Sequence, residues 1–325
     1  MRRSLSLLCA FFIMLAAMFP ASTQESGRFP ARPIALVVQA VAGGGNDAIA
    51  RIFAQEMQKH LGQTVIVENR PGGGGAVGSE YVARSAPDGH TLLLITTGET
   101  YYKALNPTVR FDTVKDFSPI AMVSSVPLVL VTTASQPFNS FAEFVEYAKA
   151  NPKKLSYGSA GVGSPHHLAG EMLNRAAGLE IIHVPYRGTA PAINDLLGKQ
   201  ISLAWSSPAA VKSFIGEGTL KPLAMADPHR AAVFPEVPTI GESGYPDVTV
   251  DLWFGIVAPR GTPAAIIARI HKSIQEASAD AGLRQRIANL GFELTIEGPT
   301  EFGARIAADS ARYTAAIRTM GLAKD

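Results

Sequence analysis

The sequence predicts an α/β protein of two lobes, each a mostly parallel sheet flanked by helices, hinged where the chain crosses twice between them. Three observations predict it. Short β-branched runs ("IALVV", "TVIVEN", "TLLLITT", then "KLSYGS", "IIHVPY", "ISLAW") alternate with stretches of helical periodicity, the rhythm of strands covered on both faces. Two longer extended runs, "IAMVSSVPLVLVTTA" and "VTVDLWFGIVAP", separate and follow the two series, so the chain leaves one lobe and later returns to it. A chain of 325 residues exceeds what one core usually serves, and a hydrophobic content of 47% is enough to pack two.

Taken in order, the first 24 residues, "MRRSLSLLCAFFIMLAAMFPASTQ", put two arginines before an apolar run and end in small and polar residues. That is the layout of an export signal. The apolar run from Leu5 to Phe19 falls short of the ~20 residues a membrane span needs. The first lobe is assigned to 28–126 plus 253–325 and the second to 127–252. Helices fit 47–60 and 77–85 in the first lobe and 141–150, 165–177 and 190–198 in the second, each closed near a Gly or Pro. The returning run leads into helices at 263–279, 281–290 and 300–320.

Composition narrows the partners. There are 29 basic and 27 acidic side chains, and removal of Arg2 and Arg3 with the signal leaves 27 of each. A neutral mature chain argues against nucleic acid or an anionic membrane as the partner. Cys9 is the single cysteine and lies inside the signal, so the mature chain has no disulfide, thiolate nucleophile or Cys metal site.

Three glycine-bearing loops precede helices: "AGGGND" at 42–47, "GSAGVGSPHHLAG" at 158–170 and "PYRGTAPA" at 185–192. In the second, Ser164 suits an N-cap and Pro165 the first helical position, which would turn the backbone N–H groups near 159–164 toward a cleft. Gly188 and Thr189 suit the same role in the third. Strand-to-helix glycine turns bind anions because backbone donors and the helix dipole converge there. Nothing matches the P-loop pattern with its Lys and Ser/Thr, and the first loop lacks the G-x-G-x-x-G spacing, so nucleotide is disfavoured. A carboxylate asks for the same donors with less charge to neutralise.

Catalytic patterns are absent. No G-x-S-x-G or H-E-x-x-H occurs. His167 and Glu171 have metal-ligand spacing without an evident third ligand, and His183 reads as a structural histidine in a buried strand. Asp88, Asp112 and Asp116 read as turn and cap residues. The glycine cluster "RPGGGG" at 70–75 is either a mobile loop or a ligand contact. No catalytic residue, metal or cofactor is expected.

Five motifs in order, "RPIALVVQAVAGGGNDAIAR", "GQTVIVENRPGGGGAVGSEYVARSAPDGHTLL", "YGSAGVGSPHHLAGEML", "HVPYRGTAPAINDLLGKQISL" and "FPEVPTIGESGYP", resemble the substrate-binding proteins of tripartite tricarboxylate transporters, the Bug family. The resemblance runs from Arg32 to the C-terminus. It implies a periplasmic, monomeric, two-lobed binding protein of type II, which closes on a small organic acid and delivers it to the transporter's membrane permease subunits. It also implies that one carboxylate of the ligand is held between Gly43, Gly44, Gly45, Asn46 and Asp47 from one lobe and Ser159, Ala160, Gly161, Gly163 and Ser164 from the other, partly through water. His167, Tyr186, Gly188 and Thr189 lie nearby in that reading.

The sequence departs from the family pattern at the places that would set specificity. Ala40 stands for the usual aromatic and Asn46 for the usual threonine, Ser206 for an aspartate that meets the far end of the ligand, and Glu99, Tyr101 and Tyr102 for small or amide side chains. Ser206 disfavours an amino-acid ligand, Glu99 would restore it if it faced the cleft, and Tyr101, Tyr102 and Trp205 either pack in the core or rim or stack on a ring. A di-, tri- or aromatic carboxylate is the expected ligand. A liganded sensor subunit and an exported hydrolase are the alternatives.

Overall fold

The computed structural model describes residues 29–323. The export-signal reading and Cys9 lie outside them. Two sheets organise the chain. The first has six strands: β1 (Ile34–Val38), β2 (Val65–Asn69), β3 (Thr91–Thr96), β4 (Phe117–Val126), β10 (Leu252–Pro259) and β11 (Glu293–Glu297), in the order β11-β4-β10-β3-β1-β2. The second has β5 (Val129–Thr133), β6 (Ser156–Ser159), β7 (Ile182–Pro185), β8 (Leu203–Ser206) and β9 (Leu220–Met225), in the order β7-β6-β8-β5-β9.

Strand β1 reads as an unbroken apolar run because both faces of its sheet are covered. Leu36 and Val38 feed one core and Val37 the core on the opposite face. Each fully buried side chain of this kind contributes roughly 1.5–3 kcal/mol. In the second sheet Leu130, Leu203 and Trp205 point to one face, while Val129, Val131 and Ala204 point to the other.

Both sheets are mixed rather than mostly parallel. β1, β2 and β3 run parallel, as do β6, β7 and β8, but β10 is antiparallel to β3 and β4, and β5 is antiparallel to β8 and β9. The crossings explain this. β4 leaves the first lobe and β10 returns to it, so paired side by side from Leu252↔Val126 to Pro259↔Phe117 they must run in opposite directions.

Helices α1 (Gly45–Leu61) and α2 (Ala76–Ala83) follow β1 and β2, and the four-residue α3 (Tyr102–Leu105) follows β3. In the second lobe lie α4 (Phe141–Ala150), α5 (Pro165–Ala177), α6 (Thr189–Leu197) and α7 (Pro208–Gly216). The chain ends in α8 (Ala264–Ser278), α9 (Ala281–Asn289) and α10 (Pro299–Thr319). Helix α5 starts where the sequence indicates: the Ser164 hydroxyl accepts from His167 N–H and Pro165 occupies the first turn. The unexpected elements are α3, α7, β9 and β11.

The crossings are pinned by hydrogen bonds. Leu128 N–H donates to Asp227 Oδ2 at 2.7 Å, Ala226 N–H to Leu128 O at 2.8 Å and Val250 N–H to Ala226 O at 2.8 Å. Thr97 Oγ1 donates to Asp251 O at 3.0 Å and accepts from Trp253 N–H at 2.9 Å, tying the end of β3 to the returning strand. Tyr101, Tyr313 and Ile317 come from segments assigned to the first lobe, yet they pack in one core with Leu130, Tyr157 and Trp205 of the second.

Candidate functional site

Strands β2, β3 and β6 of the two sheets lead into segments that line one cleft, the place where α/β folds present ligand-binding loops. A cavity of about 460 Å³ lies there. One wall is the second glycine loop, Ala160–Pro165. Facing it are Thr96, Gly98, Tyr101 and Tyr102 from the end of β3, with Leu105 and Asn106 just after α3 begins to close. Gly73, Val109 and Leu322 complete the lining. The lobes touch across it, since a Cβ on Gly163 would come within 2.6 Å of Leu105 Cδ1.

Most donors of the second loop serve the loop itself. Gly161 N–H donates to Ser159 Oγ at 3.1 Å, Ser164 N–H to Gly161 O at 3.1 Å and Gly163 N–H to His167 Nδ1 at 3.0 Å. Gly161 and Gly163 adopt φ of 128° and 78°, which side chains disfavour. The N–H groups of Ala160 and Val162 have no acceptor among the described residues, and both residues line the cavity. Two backbone donors without an acceptor thus stand beside the N-terminus of α5, an arrangement suited to an anion.

His167 supports that wall from behind. Because its Nδ1 accepts, the ring is the neutral Nε2–H tautomer, and burial lowers its pKa in agreement. It stacks on His183 at 4.0 Å between ring centroids. His183 lies on the edge strand β7 and is half-buried rather than enclosed, the strand's other neighbour being solvent. Burial pushes it down to about 4, and its Nε2 lies 2.7 Å from Ser159 Oγ. A serine and a histidine are therefore paired, which the sequence did not suggest. Ser159 is only 1% exposed and its hydroxyl is engaged with Gly161, so it is placed as a loop brace. Tyr186, Gly188 and Thr189 sit on the adjacent turn, where Tyr186 Oη donates to Asp195 Oδ2 at 2.7 Å, and they do not line the cavity.

The first glycine loop stands apart. Gly43, Gly44 and Gly45 are exposed, Asn46 is half-buried, and none of them lines the cavity. Asp47 points back into its own loop. Its Oδ2 accepts from Gly43 N–H at 3.0 Å and from Arg51 Nε at 2.9 Å, and its Oδ1 accepts from Asn69 Nδ2 at 3.0 Å. These bonds, Arg51's first, hold its carboxyl down at about 2. Asp47 is thus placed as a clamp on loop geometry, and Arg51 and Asn69 are partners that sequence reading missed.

The specificity candidates divide. Tyr101 and Tyr102 line the cavity, and Tyr101 is 1% exposed with a hydroxyl that has no partner among the described residues. Glu99 does not reach the cavity. It is buried in a capping box, taking Thr96 N–H at 2.8 Å, Thr96 Oγ1 at 2.7 Å and Gln39 Nε2 at 2.7 Å, and burial raises its pKa. Trp205 is packed in the second lobe's core, so it offers no face to a ligand. Ala40 packs against the first lobe's core, and Ser206 is fully buried with an unpartnered hydroxyl. Gly73 brings "RPGGGG" to the cavity rim. Asp88, Asp112 and Asp116 cap turns, accepting from the N–H groups of His90, Val114 and Asp112. Among the described residues no group of three or more His, Cys, Asp or Glu side chains could hold a metal.

The model of the tripartite tricarboxylate transporter family receptor (TctC) matches residues 49–322. The chain belongs to this family. This receptor is 34% identical over 317 residues to protein BugT of Bordetella pertussis, covering 97% of each chain. Its fold is similar to that of a TctC solute-binding protein from Polaromonas, with a TM-score of 0.82, 32% identity and coverage of 90% of this chain and 100% of that one. Two other solved structures carry ligands: an R. palustris protein with adipate (TM-score 0.76, 31% identity, 90% and 99% coverage) and MatC from Rhodopseudomonas palustris with malate (0.74, 31%, 89% and 100%). The expected family and two-lobed α/β fold are thus both found.

Proposed function

We propose that this receptor is an exported periplasmic protein that captures a small organic carboxylate by closing its lobes and hands it to the permease of a tripartite tricarboxylate transporter. The observation that carries this reading is the inter-lobe cavity with two unengaged backbone N–H groups on one wall. Adipate and malate in two structural neighbours support the ligand class.

Magnitudes indicate why closure is needed. A charge-assisted hydrogen bond contributes about 1.5–3 kcal/mol, so Ala160 and Val162 together supply about 3–6 kcal/mol. Micromolar affinity needs about 8 kcal/mol. The remainder comes from apolar contacts and from bringing Gly43–Asn46 over the ligand, directly or through water. Only the difference in affinity between closed and open forms drives that movement.

The exported-hydrolase reading gains a Ser159–His183 pair but loses it as a nucleophile and base. The serine is buried beneath the loop, and no carboxylate accepts from His183 among the described residues. A thermal-shift screen of organic acids tests the proposal, since a ligand at about 100 times its Kd stabilises by about 2.7 kcal/mol. Small-angle scattering with the hit should show a more compact particle. No response to any carboxylate, alongside a response to another solute class, refutes the carboxylate reading, and turnover of the hit favours the enzyme.

A further inference from the structure

We infer that this cavity selects a solute with one carboxylate and an apolar body, and discriminates against di- and tricarboxylates. The inference rests on the carboxylate reading above and adds which member of the class fits. Its basis is the charge of the lining. No Lys, Arg, His, Asp or Glu side chain lines the cavity. On the wall of the second glycine loop the N–H groups of Ala160 and Val162 are free and stand close together. The apolar wall is built from the side chains of Leu105, Val109 and Leu322, of which Leu105 lies against Gly163. Lys103 and Arg318 line a separate groove behind α3, and Arg110, next to Val109, is exposed and outside the lining.

A carboxylate at the donor wall is held by N–H groups and the positive end of α5. A second carboxylate at the other end is stripped of water against leucine and valine with no countercharge, which is unfavourable for any ion. The polar groups remaining there are neutral. Tyr101 Oη is buried and unpartnered, and burial raises its pKa far from any ionisation at neutral pH. It supplies no charge with which to balance a second carboxylate. Tyr102, half-buried in the same lining, offers an apolar face to a chain or ring.

A matched trio isolates the charge: hexanoate, adipate and hexanamide share one carbon chain and differ at its ends. Titration calorimetry on the wild-type protein should show hexanoate binding at least tenfold tighter than adipate, and hexanamide weaker than hexanoate. Adipate equal to or tighter than hexanoate overturns the selectivity while leaving the carboxylate reading intact. Hexanamide equal to hexanoate, or no heat from any of the three at millimolar concentration, overturns the carboxylate reading itself. Leu322→Arg puts a cation on the apolar wall and should raise adipate affinity at least tenfold relative to hexanoate. Asn106→Arg, at a half-buried position lining the same cavity, is the second variant should the first not fold. An unchanged adipate-to-hexanoate ratio in a folded variant overturns the assignment of that wall.

Discussion

Replacing Asp47 by asparagine removes the charge that gathers the first glycine loop onto α1. The carboxyl sits at about 2 instead of its ordinary 3.8 because Arg51, Gly43 N–H and Asn69 all bond its ionised form. At 1.36 kcal/mol per pH unit, that difference corresponds to at most about 2.5 kcal/mol. The Arg51 side chain is 54% exposed, so solvent screening reduces it, to about 1–1.5 kcal/mol. A carboxyl with a depressed folded-state pKa stabilises fully above its unfolded pKa of about 3.9 and loses that contribution as pH falls through about 2. The wild type should therefore exceed Asp47→Asn by about 1–1.5 kcal/mol at pH 7 and 5. The gap should narrow between pH 4 and 2. Urea unfolding of both proteins across that range measures it. Parallel stability curves down to pH 2 would show that Asp47 does not hold the loop and that the geometry assigned to it is wrong.

Further expectations are independent of that one. Gly255→Ala should destabilise by about 1–3 kcal/mol through overpacking, because its Cβ would meet Phe302 Cζ at 2.0 Å; Phe302→Leu in the same chain should recover part of the loss in thermal unfolding. Trp205→Phe should lower the melting temperature, yet leave ligand Kd unchanged, since the ring is enclosed in the second lobe's core; a changed Kd would return Trp205 to the site. The histidines beside the second loop should make stability fall as pH drops from about 6.5 toward 4, because His166 and His183 are held neutral by burial with pKa values near 4. His183→Gln should flatten that dependence, and an unchanged profile would deny the role. Gly161→Glu should abolish binding without unfolding the protein, because it sets an anion at the donor wall; retained affinity would remove the loop from the site.

Strand, glycine turn and helix could be read together from residues such as Ser164 and Pro165, because a cap and a fixed φ act locally. The two crossings were visible as long extended runs, but strand direction was not, since an apolar run carries no sign of which way its neighbour travels. β11, "ELTIE", was missed because it is short and flanked by glutamates. Face was equally hidden. Trp205 alternates with Ala204 and Ser206 along one strand, and only the packing decides which of them turns from the cleft. Glu99 is turned from the cleft partly by a local pattern, the Thr96-x-x-Glu99 capping box, and partly by Gln39, 60 positions away, whose 2.7 Å bond no local pattern announces.

Tyr101 belongs by sequence to one half of the molecule and by packing to the other. In the site proposed above, the rim on the first lobe's side is thereby anchored in the core that also carries the donor loop. Substitutions along that rim would then tune the fit to the solute's body beside the loop proposed to take its acid group, while the first glycine loop, outside the lining, would be left unchanged.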